Sequence, residues 1–190
     1  MGRIVVMHVI HCVSSNRHKL KEFNNILGPF GYRVAQLTAP KIEIQADSLE
    51  EIAIYCLDRL SAVNCFVEDA GLFVDALNGF PGPYSAYVFR TLGCAGLLRQ
   101  LRHQNNRKAR FLSIIAYRDV FGEKKIFQGE TLGSITCEER GKGGFGFDPV
   151  FIPEGATKTY AEMSPSEKDT VSHRGKATRA LAAFLTNQFS

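Results

Sequence analysis

No apolar run in this 190-residue chain approaches the ~18 consecutive residues that a membrane-spanning helix needs. The longest opening run, Ile4–Val13, is too short, carries His8 and His11, and lacks a small-residue cleavage site. It therefore predicts a buried strand and not a signal peptide. Val6 stands where a myristoylation signal places Ser or Thr after Met1-Gly2. These absences predict a soluble, cytoplasmic chain with no membrane partner. Cysteine is sparse as well: Cys12, Cys56, Cys65, Cys94 and Cys137 are odd in number, widely spaced and without a C-x-x-C pair. That argues against a disulfide framework or a zinc site and predicts buried free thiols. No repeat, low-complexity tract or Ser/Gly linker marks a boundary, so residues 1–190 are expected to form a single domain. With 45% hydrophobic and 22% charged residues, the composition excludes a disordered or fibrous chain.

Acid is missing from one long stretch. Between Asp75 and Asp119 there is no carboxylate, while Arg90, Arg99, Arg102, Arg107, Lys108, Arg110 and Arg118 all fall there. The net charge is only +4, so the asymmetry is local. It suits an anionic partner or, more simply, a solvated helix end and loop.

The pattern of what is present predicts an α/β chain with a mixed sheet. Met7–Val13 reads as a strand, followed by a helix with Leu20, Phe23 and Leu27 on one face and Gly28-Pro29 as its stop. A second helix starts at Ser48, where Glu51 completes a capping box, and runs towards Ala62. Val63–Val67 reads as a strand ending at Glu68-Asp69, and residues 70–90 as irregular. A helix over Ala95–His103 follows. Phe111–Tyr117, Lys125–Phe127 and Leu132–Thr136 then read as three strands, Val150–Ile152 as a short one, and the chain closes with a helix whose apolar residues are Ala177, Ala180, Leu181, Phe184 and Leu185.

Four segments bear chemistry. Ser14-Ser15-Asn16-Arg17-His18-Lys19 lies at a strand-to-helix junction, where backbone N–H groups and the Lys19 ammonium suit phosphate, although Ser or Asn there also serves as a plain cap. It is not a Walker loop. Glu68-Asp69, taken to close an apolar strand, offers hard oxygens for Mg²⁺ and a base for water, or simply starts a turn before Gly71. Glu43, in the alternating run Ile42–Gln45, is a further candidate ligand or a solvent-facing strand residue. Gly141-Lys142-Gly143-Gly144-Phe145-Gly146 satisfies G-x-G-x-x-G literally, but Phe147-Asp148-Pro149-Val150-Phe151-Ile152-Pro153 cannot supply the helix that a dinucleotide fingerprint needs. What remains is a loop with two aromatics and an aspartate, suited to a flat ring. Last, Ser164-Pro165-Ser166-Glu167 reads as a helix start, with Lys168, His173 and Arg174 as three cations just beyond it. A Ser/His/Asp triad from His173 and Asp148 lacks the G-x-S-x-G elbow.

Read in order as S-S-N-R-H-K, V-E-D-A-G-L, P-G-P-Y-S-A, G-F-G-F-D-P and E-K-D-x-x-S-H-R, the chain resembles the inosine triphosphate pyrophosphatase family from Val6 to its last helix. That resemblance implies an elongated, two-lobed mixed α/β fold with the nucleotide in the cleft, usually as a homodimer. It implies Mg²⁺-dependent hydrolysis of ITP, dITP and XTP to the monophosphate and pyrophosphate. It also implies roles: Ser14–Lys19 on the triphosphate, Glu43, Glu68 and Asp69 on the metal, and Asp69 as catalytic base. Phe145, Gly146, Phe147 and Asp148 are implied to hold the base, and Lys168, Ser172, His173 and Arg174 to recognise the purine. Ala70, within the substrate site, stands where the family has a hydroxyl; Asp169 replaces an asparagine, and Cys56 a lysine of some members. Two other classes compete with this one. A Maf-like pyrophosphatase of modified pyrimidine nucleotides would have an unrelated base loop, and a non-enzymatic nucleic-acid binder would rest on the acid-free stretch and ignore Mg²⁺.

Overall fold

The computed structural model describes residues 7–39 and 44–187. In chain order these form β1 (His8–Cys12), α1 (Arg17–Leu27), β2 (Tyr32–Gln36), α2 (Leu49–Asp58), β3 (Cys65–Val74) and β4 (Pro81–Gly82). Then come α3 (Ser85–Gln100), β5 (Lys108–Arg118), β6 (Lys124–Ile135), β7 (Phe151–Pro153), α4 (Pro165–Val171) and α5 (His173–Asn187). The strands make one sheet in the order β2-β1-β3-β5-β6-β7, with β4 on β3. β1 runs parallel to β2 and β3, and the remaining pairs are antiparallel. The expected α/β class with a mixed sheet is what forms.

The apolar side chains sort into three clusters. Phe66, Ile115 and Tyr117 pack under α1 and α5 with Phe23, Leu27, Leu181 and Leu185. Val67, Ile114 and Ala116 face the other way, against Leu49, Ile52, Ala53 and Leu57 of α2. This is the period-2 alternation of strand side chains. The third cluster joins the far ends of the same strands, Leu72, Val74, Ala109 and Phe111, to α3, Phe147, Phe151 and Tyr160. β3 and β5 thus run out of one core region into another. Glu68, Asp69 and Ser113 occupy the stretch between them, where apolar packing on both strands gives way.

Several boundaries differ from expectation. β3 does not stop at Glu68-Asp69. Ten consecutive partners on β5 carry it through the two acids to Val74, so these acids lie mid-strand rather than at a strand end. Much of the stretch from 70 to 90 is ordered by β4 and by Ser85, whose hydroxyl donates to Gly82 O (2.6 Å) and accepts from Leu72 N (2.8 Å). α3 begins ten residues before the expected helix and breaks at Gly93 (φ 63°, ψ −172°), which destroys a single amphipathic stripe. The two predicted strands at 125–127 and 132–136 are one strand, β6. Its Gly129 interrupts the apolar pattern because a Cβ there would overlap His173 O, so glycine lets α5 lie close on the sheet. β2, which was not anticipated, is short and alternates, with Tyr32 and Val34 buried.

Candidate functional site

α1 starts as its sequence demands. Asn16 Oδ1 accepts from His18 N (2.9 Å) and Lys19 N (3.3 Å), and Ser14 Oγ accepts from Asn16 N (3.2 Å). Two amides that an anion might have used are therefore taken by the cap, leaving the dipole of α1 and the Lys19 ammonium as the attraction for phosphate. Ser15, Arg17 and His18 are exposed at this end. Lys19 reaches across to the mid-sheet acid, its Nζ 2.7 Å from Glu68 Oε2.

Glu68 is the hub of a buried lattice of charge. Oε1 accepts from Ser113 Oγ (2.7 Å) and from Arg174 Nε (3.0 Å). Arg174 Nη1 then donates to Glu22 Oε2 (2.6 Å), whose Oε1 takes Lys168 Nζ (2.8 Å), and that ammonium also donates to Asp148 Oδ2 (2.6 Å). Three cations alternate with three carboxylates, and each charge is set against an opposite one in a low-dielectric interior. The consequences follow the pairing. Burial alone would raise the carboxyls, yet Arg174 and Lys19 hold Glu68 well below the ordinary carboxylate range, and Arg174 and Lys168 lower Glu22. At Asp148 burial wins over Lys168 and the value rises.

The loop after β6 is held by the same lattice. Asp148 Oδ2 also accepts from Phe145 N (2.8 Å), and a Cβ on Gly144, whose φ is +70°, would overlap that oxygen. Phe145 is thereby fixed with His18 stacked on it (centroids 5.4 Å apart), Lys168 Nζ 4.8 Å from its centroid and the Arg174 guanidinium 5.3 Å away. Phe147 behaves differently from its neighbour two residues earlier. It is 3% exposed and packs edge-on against Phe89 in the α3 cluster, so its ring serves the core. Gly146 accepts from Cys94 Sγ at 3.6 Å, which ties the loop to α3.

The S-H-R segment makes the junction of α4 and α5. Ser172 Oγ accepts from Gly175 N (3.0 Å), a capping role. His173 lies flat on Phe111 (4.5 Å, 9°), fully buried, with no hydrogen bond to Nδ1 among the described residues. Burial first, and then the nearby Arg174, pushes its pKa well below the usual 6.5, so the ring is neutral. Protons bind the unfolded chain in preference, and stability is therefore lost as pH falls below 6.5 and unaffected above it. Between pH 7.5 and 5.5 His173 should cost on the order of 1 kcal/mol, a fall of a few degrees in melting temperature. His173→Gln should flatten that slope, and thermal melts of both chains across this range would check it; identical slopes would exclude His173 as the cause.

Two expected partners separate. Glu68 and Asp69 are adjacent on β3 and so face opposite sides of the sheet, Glu68 towards α5 and the half-buried Asp69 towards α2. Glu68 is paired with Lys19, Ser113 and Arg174. Glu43 lies outside the described residues. The hydroxyl missing at Ala70 has a counterpart on the next strand: Ser113 is Ala70's register partner and shares its face. Asp169, in place of asparagine, is buried near Asn25 Nδ2 (3.4 Å), and Cys56 packs in the α2 cluster. Sequence reasoning missed Glu22, whose position three residues beyond Lys19 places both on one helix face. It also missed Ser113, which nothing local distinguishes from a strand serine.

The signature of the Ham1 family matches residues 10–184. The chain belongs to the Ham1 family. A dITP/XTP pyrophosphatase of Thermococcus kodakarensis is 51% identical over 91% of this chain and 95% of its own length, and one of Hyperthermus butylicus is 49% identical over 93% and 94%. The solved structure of a HAM1 protein from Coxiella burnetii superposes with a TM-score of 0.82 at 30% identity, covering 95% of this chain and 100% of that one. The resemblance drawn from the motifs is borne out. So is the mixed α/β Ham1 fold.

Proposed function

We propose that this Ham1-family chain hydrolyses non-canonical purine nucleoside triphosphates, ITP, dITP and XTP, to the monophosphate and pyrophosphate, acting in the cytoplasm as a homodimer. The observation that carries the reading is the convergence of Lys168 and Arg174 on the ring of Phe145, with Lys19, at the N-terminus of α1, joined to Arg174 through Glu68. The names of the relatives support it. The triphosphate is drawn to Lys19 and the α1 dipole. Among the described residues β1 pairs with β3 only at Cys65 and Phe66, so the triphosphate passes the edge of β3 beyond them, from Lys19 on one face to Asp69 on the other. Asp69 accepts a proton from water as the water oxygen bonds to the α-phosphorus and the bridging oxygen leaves with pyrophosphate.

Among the described residues no three His, Cys, Asp or Glu side chains cluster as a metal site. The donor set still fits Mg²⁺, which takes one or two carboxylates and completes its shell with water and phosphate oxygens. Asp69, with Glu43, would hold it, and bound Mg²⁺ would offset phosphate charge and polarise phosphorus. Base choice falls to Phe145 and to Arg174. The guanidinium commits Nε and Nη1 to carboxylates, and among the described residues Nη2 carries no hydrogen bond. Its N–H donors suit a 6-keto oxygen and would meet adenine's 6-amino group with no acceptor, a mismatch of the kind worth ~10⁴-fold.

Pyrophosphate release from ITP, XTP, dITP, GTP, ATP and modified pyrimidine triphosphates, with Mg²⁺ or with EDTA, tests this directly. The expected result is metal-dependent turnover that favours ITP and XTP over ATP by ~10²-fold or more. Inactivity on every purine, or preference for a modified pyrimidine, would overturn it.

A further inference from the structure

We infer that the recess between the end of α3 and the end of β6 binds a small multivalent phosphate anion, of which pyrophosphate is the simplest. The fold does not leave the charge of the acid-free stretch as one stripe. Arg110 lies 3.5 Å from Glu130 and Arg118 lies 3.4 Å from Asp58, both acids drawn from outside the stretch. Arg99, Arg102 and Arg107 instead line a single recess of about 510 Å³, closed by Ala95, Leu98 and Cys137. That volume is the size of a small-molecule site.

The three arginines are not equivalent. Arg107 is fixed by backbone carbonyls: Nε donates to Ile135 O (2.7 Å), Nη1 to Leu101 O (3.0 Å) and Nη2 to Thr136 O. Its partners are neutral, so the full positive charge stays at the wall. Arg99, at the end of α3, and Arg102, just beyond it, both line the recess and are exposed, and among the described residues neither has an ion-pair partner. Glu138 and Glu139 follow Cys137 in sequence but do not line the recess. Three like charges around one concavity repel each other, and a multivalent anion relieves that repulsion. Guanidinium forks match phosphate oxygens two at a time, which favours phosphate over a spherical ion. A polymeric phosphodiester would need a continuous basic track, and Glu130 and Asp58 interrupt it.

Cys137 supplies a reporter. It is the exposed thiol of the five and it forms part of the recess, while the other four are buried. Alkylation by neutral iodoacetamide, read at the Cys137 peptide by mass, is compared with and without pyrophosphate in Mg²⁺-free buffer of constant ionic strength. Saturating pyrophosphate should slow labelling about tenfold, and chloride should not. Arg99→Ala with Arg102→Ala should abolish the protection and remove one site from a pyrophosphate titration by calorimetry, with nucleotide hydrolysis kept. The inference is overturned if the labelling rate and the binding heats are the same in both chains. It is also overturned if a single-stranded oligonucleotide protects Cys137 where pyrophosphate does not. None of these outcomes depends on the hydrolytic assignment.

Discussion

Asp69→Asn is expected to lower turnover by about 10²–10⁴-fold while the melting temperature stays where it is. The substitution keeps the shape of the side chain and removes its charge and its ability to accept a proton from water. It should spare the fold, because Asp69 is held in place by the ladder of β3 on β5, where its register partner is Ile114 and the bonds come from the backbone. The side chain itself is half-buried and faces α2, away from the lattice of Lys19, Glu68, Arg174 and Glu22. Steady-state pyrophosphate release, paired with a thermal melt, reads both halves. Near-normal hydrolysis by the variant would remove Asp69 from the chemistry, and a large fall in melting temperature would make it a structural residue.

How far this could be seen in the sequence depends on whether a signal was local. The Asn16 and Ser164 caps were legible, because a side chain two or three residues from the amide it accepts writes its role into the motif. The strand order was not, since Glu68, Asp69 and Gly71 break an apolar run that only pairing with β5 sustains. The same cause hid the unity of β6, whose Gly129 looks like a turn until α5 is laid against it. Motif order placed Phe145, Asp148, Lys168 and Arg174 in one site, and the structure does bring them together. It could not tell Phe145 from Phe147, because the two rings part only when α3 supplies Phe89. Glu22 and Ser113 join the site through contacts more than 40 residues away in sequence, from Glu22 to Lys168 and from Ser113 to Glu68. No spacing rule reaches that far.

Glu68→Ala should have the largest effect on stability. Glu68 is about 3% exposed and takes Lys19, Ser113 and Arg174 at once. Its removal leaves Arg174 buried with only Glu22 opposite it, and strands the Ser113 hydroxyl. Breaking a buried pair from one side costs ~3–5 kcal/mol, which the midpoint of denaturant unfolding would read. The partner's removal tests the cause. Glu68→Leu combined with Arg174→Met deletes both charges, and it should recover much of the loss on stability. The wild-type lattice should weaken in acid for the same reason. Glu68 and Glu22 titrate below their ordinary 4.5 in the folded chain, so the stability they contribute is complete above that value and is lost as pH falls beneath it. High salt should do little, because ions do not enter a lattice this buried. If Glu68→Ala unfolds within about 1 kcal/mol of the wild type, the carboxylate is not the keystone between the two core regions. The charges around Phe145, Lys168 on α4 and Arg174 on α5, would then be held by Glu22 and Asp148.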